Sequence, residues 1–255
     1  MIYKSIDDKH GFTLIELSIV LMIISLIVGG VLAGRALIQQ AEVRSTASKL
    51  QQFETAYRTF QTKYNCVPGD CLNATDFFGN NYVVVTQGCP PSGGAGNGNG
   101  NGDGFIDLSS GLTSNGTWKC EPTQALKSLS LSGLLAGDMT NPCQGTAVYF
   151  KFSGENCAYF YKDDIYNQAT PALNLNSISL STIPSGSFSD YGPALSPVQA
   201  RLIDEKIDDG KPSTGKFRGL DYWITGGILI NNSCSASGNY NLNEDNTCRV
   251  LYYFK

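Results

Sequence analysis

Histidine is all but missing from this chain of 255 residues: the single one, His10, stands close to the N-terminus. Serine or cysteine hydrolysis of the histidine-assisted kind therefore has almost nothing to draw on. No Cys-x-x-Cys pair occurs, which disfavours a zinc site. Basic residues are not in excess. Eighteen Lys and Arg face 22 Asp and Glu, for a formal charge of −4 and a pI of about 5.0, which argues against a duplex nucleic-acid binder with a basic face. Carboxylates are plentiful, but no spacing singles out an acid–base pair. Proline is absent from Phe12 to Tyr64, so nothing there interrupts a helix. Also missing is a small-residue cleavage site after the first apolar run, so that run is not a removable secretory signal.

The run itself is the most informative stretch. From Phe12 to Ala33 there are 22 residues with one charge, Glu16. As a helix this is about 33 Å long at 1.5 Å per residue, enough to cross a hydrocarbon core of roughly 30 Å. A carboxylate costs about 2.5–3.5 kcal/mol at the bilayer centre, which makes Glu16 a functional suspect. Ahead of the run, Lys4 and Lys9 are offset by Asp7 and Asp8, so the signal for a cytoplasmic N-terminus is modest.

Gly11-Phe12-Thr13-Leu14-Ile15-Glu16-Leu17 resembles the cleavage and methylation signature of type IV pilins and of the pseudopilins of type II secretion. The resemblance implies that a prepilin peptidase cuts after Gly11, that Phe12 becomes an N-methylated terminus, and that Glu16 pairs with the terminal amine of a neighbouring subunit. A buried carboxylate in lipid is tolerable with such a cationic partner. Loss of Met1–Gly11 would remove His10 and leave no histidine at all, so an enzyme is not expected. The implied partners are other pilin subunits, the peptidase, an inner-membrane assembly platform, and membrane lipid before assembly, with no specific nucleic acid. The implied location is the bacterial inner membrane, single-pass with the N-terminus cytoplasmic, and then a periplasmic or cell-surface filament. The expected role is a structural subunit, major or minor, of a type IV pilus or type II secretion-like filament. The alternative is a filament-borne adhesin or a DNA- or surface-binding tip protein.

Beyond the run, Val43, Ala47, Leu50, Phe53, Tyr57, Phe60 and Tyr64 recur at steps of three and four, drawing one apolar stripe. The expected parts are leader 1–11, membrane or filament-core helix 12–34, amphipathic half 35–65 and a globular part 66–255. The expected fold is α+β. In pilins, a long N-terminal helix packs its second half on an antiparallel sheet with disulfide-bounded loops. Many pilins carry proline where this chain has Ala33; Gly29, Gly30 and Gly34 surround it here, each about 1 kcal/mol less helix-favouring than alanine.

Eight cysteines all lie past the membrane run: Cys66, Cys71, Cys89, Cys120, Cys143, Cys157, Cys234 and Cys248. An even count facing an oxidising compartment favours disulfides, and eight allow about 105 connectivities. Sequential pairing is the simplest. Pro68-Gly69-Asp70 between Cys66 and Cys71 reads as a turn ending the long helix. A short helix over 73–79 with Asn73 as cap is expected next, then a β-rich run at 82–86.

Pro90–Gly104 is a Pro/Ser/Gly/Asn-rich exposed loop. Its end, Asn99-Gly-Asn101-Gly-Asp103-Gly-Phe105-Ile-Asp107, has the order of a Ca²⁺ loop: oxygen side chains at steps of two, then a glycine. Ligands would be Asn99, Asn101, Asp103, Asp107 and the Phe105 carbonyl. Two asparagines stand in for aspartates and the last acidic position is Ser110, so affinity on the order of 10⁻⁴–10⁻³ M is expected. A flexible Asn/Gly linker fits the same residues. No other cofactor is indicated.

Glu121-Pro122 opens a second amphipathic helix with Ala125, Leu126 and Leu129 inward and Gly137 as its stop. Ala147–Phe152 and Cys157–Tyr161 read as a hairpin, and Asn174–Ile183 as an irregular strand. A third helix starts at Ser196-Pro197 with Val198, Leu202, Ile203 and Ile207 buried, and Gly210 past its end. Its tail, Ile207-Asp208-Asp209-Gly210-Lys211-Pro212, resembles a stretch of large prepilin-type proteins. There the Asp pair either contacts an ion or a basic surface, or is simply a solvated helix end. Tyr222–Ile230 and Cys248–Phe254 read as two strands around a loop closed by Cys234 and Cys248.

Overall fold

The computed structural model describes residues 12–79, 100–106, 121–135, 142–143, 146–153, 156–162, 175–181, 194–220, 223–224, 228–229, 234–243 and 247–254. The chain divides into two compact units, Met1–Glu42 and Val43–Lys255. Helix α1 (Leu14–Tyr64) contributes to both and runs through Gly29, Gly30 and Gly34 without interruption. In the first unit every described side chain from Phe12 to Ala33 is exposed, Leu26 at 78% and Leu32 at 62%. Among the described residues this is the one helix long and apolar enough to cross a membrane.

The second unit is built on α1's second half. Val43, Thr46, Ala47, Leu50, Phe53, Ala56, Tyr57 and Phe60 are buried, the stripe that the three–four spacing predicts, with Tyr64 half-buried at its end. They meet one face of a six-stranded sheet of order β1-β2-β3-β4-β10-β5, antiparallel at each pairing. Its strands are β1 (Pro142–Cys143), β2 (Thr146–Ser153), β3 (Asn156–Lys162), β4 (Asn176–Ser181), β5 (Phe217–Leu220) and β10 (Arg249–Tyr253). The register Phe160–Ile178–Tyr252–Phe217 and Ala158–Leu180–Val250 lines that face, because alternate residues share a side. Phe53 stacks on Phe152 with ring centres 6.0 Å apart and meets Phe160 edge-on at 5.8 Å; Tyr57 stacks on Phe254 at 4.5 Å. The fold is thus α+β, a long helix packed on an antiparallel sheet.

Charged groups are also held within this interface, Lys49 on Phe152 O and Glu54 among several donors. Glu54 receives Arg58 Nε and Lys216 Nζ, each at 2.9 Å, and the Tyr252 hydroxyl. Burial alone would raise its carboxyl, but these donors hold it below its ordinary value.

The sheet's other face is buried and polar. Arg249 donates to Ser179 Oγ at 3.2 Å and Tyr159 Oη at 2.9 Å, while Arg218 lies over the Tyr253 ring at 5.3 Å. Leu251 pairs with Arg218 and Ser179, which puts all of these on one side. Two buried arginines, one in each of two adjacent strands, are invisible to a reading by apolar pattern.

Several elements differ from expectation. Asn176–Ser181 is a regular strand near the middle of the sheet, because Ser177 and Ser179 face the polar side rather than solvent. Tyr222–Ile230 is not one strand: β6 (Trp223–Ile224) and β7 (Ile228–Leu229) pair with each other, as Gly226-Gly227 lies between them. On the side away from β4, the neighbour of β10 is instead the short β5, which runs through Gly219 in register. Helix α3 (Glu121–Leu131) buries Ala125, Leu126 and Leu129 as expected but ends before Gly133, at φ +72°, not at Gly137. Gly133 accepts the left-handed conformation that closes the helix through Leu134 N–H to Leu129 O at 3.1 Å.

Helix α4 (Pro197–Ile207) starts as read. Ser196 caps it, and its side chain and that of Gln199 form a capping box. Of its expected buried side Ile203 is inside and Val198, Leu202 and Ile207 are half-buried, and Ala200 and Asp204 are inside as well. Helix α2 (Ala74–Phe78) also forms, yet the Asn73 side chain does not cap it, since its backbone (φ −130°, ψ 33°) is not that of a cap residue. Residues 82–86 lie outside the described residues.

Candidate functional site

The first candidate is the start of α1. Phe12 is 91% exposed. Glu16 Oε2 accepts from Thr13 N at 2.9 Å and Thr13 Oγ1 at 2.8 Å, and Glu16 N–H donates back to Thr13 Oγ1 at 3.3 Å. This is a reciprocal capping box, with Thr13 before the helix and Glu16 three residues on. The Thr-x-x-Glu spacing carries that signal, and reading Glu16 only as a charge in lipid misses it. Among the described residues Glu16 Oε1 has no hydrogen bond, so one carboxylate oxygen fixes the first turn and the other stays open. Gly11 lies outside the described residues.

The second candidate is the Asn/Gly segment. Asn99 and Asp107 lie outside the described residues. Asn101 Oδ1 accepts from Asp103 N at 2.9 Å, Asp103 Oδ1 accepts from Phe105 N at 2.9 Å, and Asn101 Nδ2 donates to Asp103 Oδ2 at 3.1 Å. The segment's inward groups are backbone donors. Gly102 N–H and Gly104 N–H donate to Asp70 Oδ1 and Oδ2 at 2.6 and 2.7 Å, and Gly100 N–H reaches Cys71 O at 3.0 Å. Asp70 is 2% exposed, and burial pushes its carboxyl up while the glycine amides draw it down. A Cβ on Gly100 would lie 2.2 Å from Asp70 Cα, so only glycine lets the chain pass so close.

Asn176 completes the arrangement. Its side chain accepts from Ile106 N–H at 2.8 Å and donates to Gly104 O at 2.9 Å and Tyr57 Oη at 2.8 Å. Burial pushes the Tyr57 hydroxyl up to about 12. The segment is therefore clasped to the end of α1 through Asp70. No local spacing announces Asp70 as its anchor, because 32 residues separate it from Gly102.

The acidic turn after α4 is the third candidate. Oxygens of Asp204, Asp208 and Asp209 lie within 4.8 Å of one another. Each is held by protein donors: Tyr240 Oη to Asp204 at 2.7 Å, Lys216 N–H to Asp208, and Lys211 N–H at 2.9 Å and Thr214 Oγ1 at 2.5 Å to Asp209. Asp204 is fully buried, and burial pushes its carboxyl up to about 7, against its bond from Tyr240 and with added repulsion from Asp209 and Asp208. Asp208 and Asp209 were legible in sequence; Asp204 and Tyr240 were not, since an Asp on a helix reads as solvent-facing.

Of the cysteines, Cys66 and Cys71 are bonded, Cα atoms 5.3 Å apart, as are Cys234 and Cys248 at 4.7 Å. The second bond encloses the hairpin of β8 (Ser235–Ala236) and β9 (Asn239–Tyr240), which Tyr240 ties to α4. Cys157 is buried and disulfide-bonded. Cys89 and Cys120 and the side chain of Cys143 lie outside the described residues.

A family model described as the prokaryotic N-terminal methylation motif matches residues 7–32. That span contains Gly11, Phe12, the capping box and most of the apolar run. Comparison with characterised proteins and with solved structures gives no match. The methylation motif, the long apolar helix and the antiparallel sheet with its disulfides together fit a type IV pilin-like protein. Such a motif points to a structural, non-enzymatic class, processed by a prepilin peptidase and built into a multi-subunit filament.

Proposed function

We propose that the chain is a structural subunit of a type IV pilus or type II secretion-like filament, assembled through its N-terminal helix after cleavage at Gly11–Phe12. The observation that carries this reading is the methylation motif leading directly into an apolar helix with every described side chain from Phe12 to Ala33 exposed. Exposed apolar surface on that scale needs another solvent, first lipid and then the same segment of neighbouring subunits. The membrane holds the subunit with its N-terminus cytoplasmic, and an assembly platform extracts it. Glu16 sets the register: its open Oε1 is the acceptor for the methylated amine of the next subunit.

Intact-mass analysis of the full chain from a peptidase-positive host tests this. The expected species begins at Phe12 and carries one extra methyl group. A chain still beginning at Met1, with Phe12 unmodified, defeats the proposal. In the same host, Glu16→Gln is expected to be cut normally and yet to be lost from sheared filaments at least tenfold, because an amide offers no charge to the amine.

A further inference from the structure

At the C-terminal end of α1 the second unit forms a cleft of about 550 Å³, within the size range of small-ligand sites. Gln61, Tyr64, Asn65, Leu72, Asn73 and Phe77 supply its side-chain lining. Its walls are fixed three times over. The Cys66–Cys71 disulfide closes the turn leaving α1, Asp70 clasps Gly102 and Gly104 across it, and Tyr64 packs on Phe60, Phe77 and Phe78 with ring centres 4.5–5.3 Å apart. A cleft so held loses little entropy when filled.

The chemistry of the lining is specific. Phe77 is 45% exposed and Leu72 66%, so apolar surface faces the opening. Asn65 and Asn73 are exposed beside them, and among the described residues neither side chain has a hydrogen-bond partner. Asn73 stands where a helix cap belongs, yet its side chain makes no cap hydrogen bond, and the residue lines the cleft. The one charged group in the lining, Asp70, has both oxygens taken by glycine amides. Lys63 Nζ lies outside the lining, 4.9 Å from the centre of the Tyr64 ring, so among the described residues the lining itself offers an ionic ligand no free counter-charge, and a purely apolar one leaves the amides unpaired. An extended peptide finds no open strand edge, because the walls are helix ends and turns.

We propose that this cleft binds a neutral saccharide, its C–H face laid on Phe77 and its hydroxyls paired with the Asn65 and Asn73 amides, each of which both donates and accepts, and with Oε1 of Gln61, whose Nε2 already donates to Tyr57 Oη at 3.4 Å. The proposal does not depend on filament assembly. The test uses the full chain in a zwitterionic, sugar-free detergent, with glucose, galactose, N-acetylglucosamine and their β1,4-linked dimers as probes, glucuronate as the anionic control and a mixed hexapeptide as the peptide control. Saturation-transfer NMR and calorimetry read the binding.

Saturable binding of at least one neutral sugar is expected, equal at low and physiological salt. Phe77→Ala should weaken it roughly tenfold, equivalent to about 1.4 kcal/mol. Asn73→Ala should weaken it several-fold with an unchanged melting temperature, since that side chain holds nothing in the fold. No binding by any neutral probe, binding that Asn73→Ala leaves untouched, salt-sensitive binding of glucuronate alone, or binding of the hexapeptide alone would each overturn the proposal.

Discussion

Asp204 and Asp70 are both buried carboxylates, and they play different parts. Asp204 titrates near 7 in the folded chain against an ordinary 3.8, because burial and the neighbouring Asp209 and Asp208 disfavour its charge. The native state thus holds the proton more tightly than the unfolded one. That stabilisation is complete below about 3.8 and is lost as pH rises through 7. Asp204→Asn cannot ionise and keeps an acceptor for Tyr240. Thermal melts of the two chains at pH 5 and pH 8 should therefore diverge, the wild type falling behind the variant by several degrees at the higher pH, at about 2–4 °C per kcal/mol. Asp70 faces backbone amides. Asp70→Asn leaves one of the two glycine N–H groups without its charged acceptor, a loss of about 1.5–3 kcal/mol, the worth of a hydrogen bond to a charged group. Exchange of the Gly102 and Gly104 amides should quicken, with or without calcium. Asp103→Ala tests the ion separately: if calcium raises the melting temperature through this loop, that rise disappears in the variant while the Asp70 clasp persists.

At the scale of elements, α1 has two halves with different partners. Its second half is stabilised by the sheet, and Phe53 is central, touching both Phe152 and Phe160. Phe53→Ala should cost about 3–5 kcal/mol of stability. Leu26→Ala, in the exposed half, should leave the melting of the detergent-solubilised chain unchanged. Much of this was legible in sequence. The proline-free span, the stripe from Val43 to Tyr64, the Ser196-Pro197 start of α4 and the Cys66–Cys71 turn follow from local rules of spacing, capping and ring constraint. The partners of β10 were not, because strand pairing is a long-range choice: β5 is four residues long, has Gly219 within it, and gains its place only from the edge that β10 leaves open. The place of Asp204 on the buried face of α4 was missed for a related reason. Asp204 turns inward because Tyr240, 36 residues away, supplies a donor.

For the whole molecule, the division into Met1–Glu42 and Val43–Lys255 separates a segment whose apolar side chains are exposed from one that makes its own core. The methylation motif lies in the first, and the clasped cleft and the disulfide-bounded hairpin belong to the second. By itself the sequence determined the apolar run, the methylation motif and the long helix, since each depends on residues a few positions apart, and the α+β class followed from the resemblance that the motif carries. Only the tertiary structure decided that the Asn/Gly segment closes on Asp70, that the sheet's second face holds Arg218 and Arg249, and that Asn65, Asn73 and Phe77 share a cleft. Those contacts join residues distant in the chain, and their energies depend on burial, which no local pattern encodes.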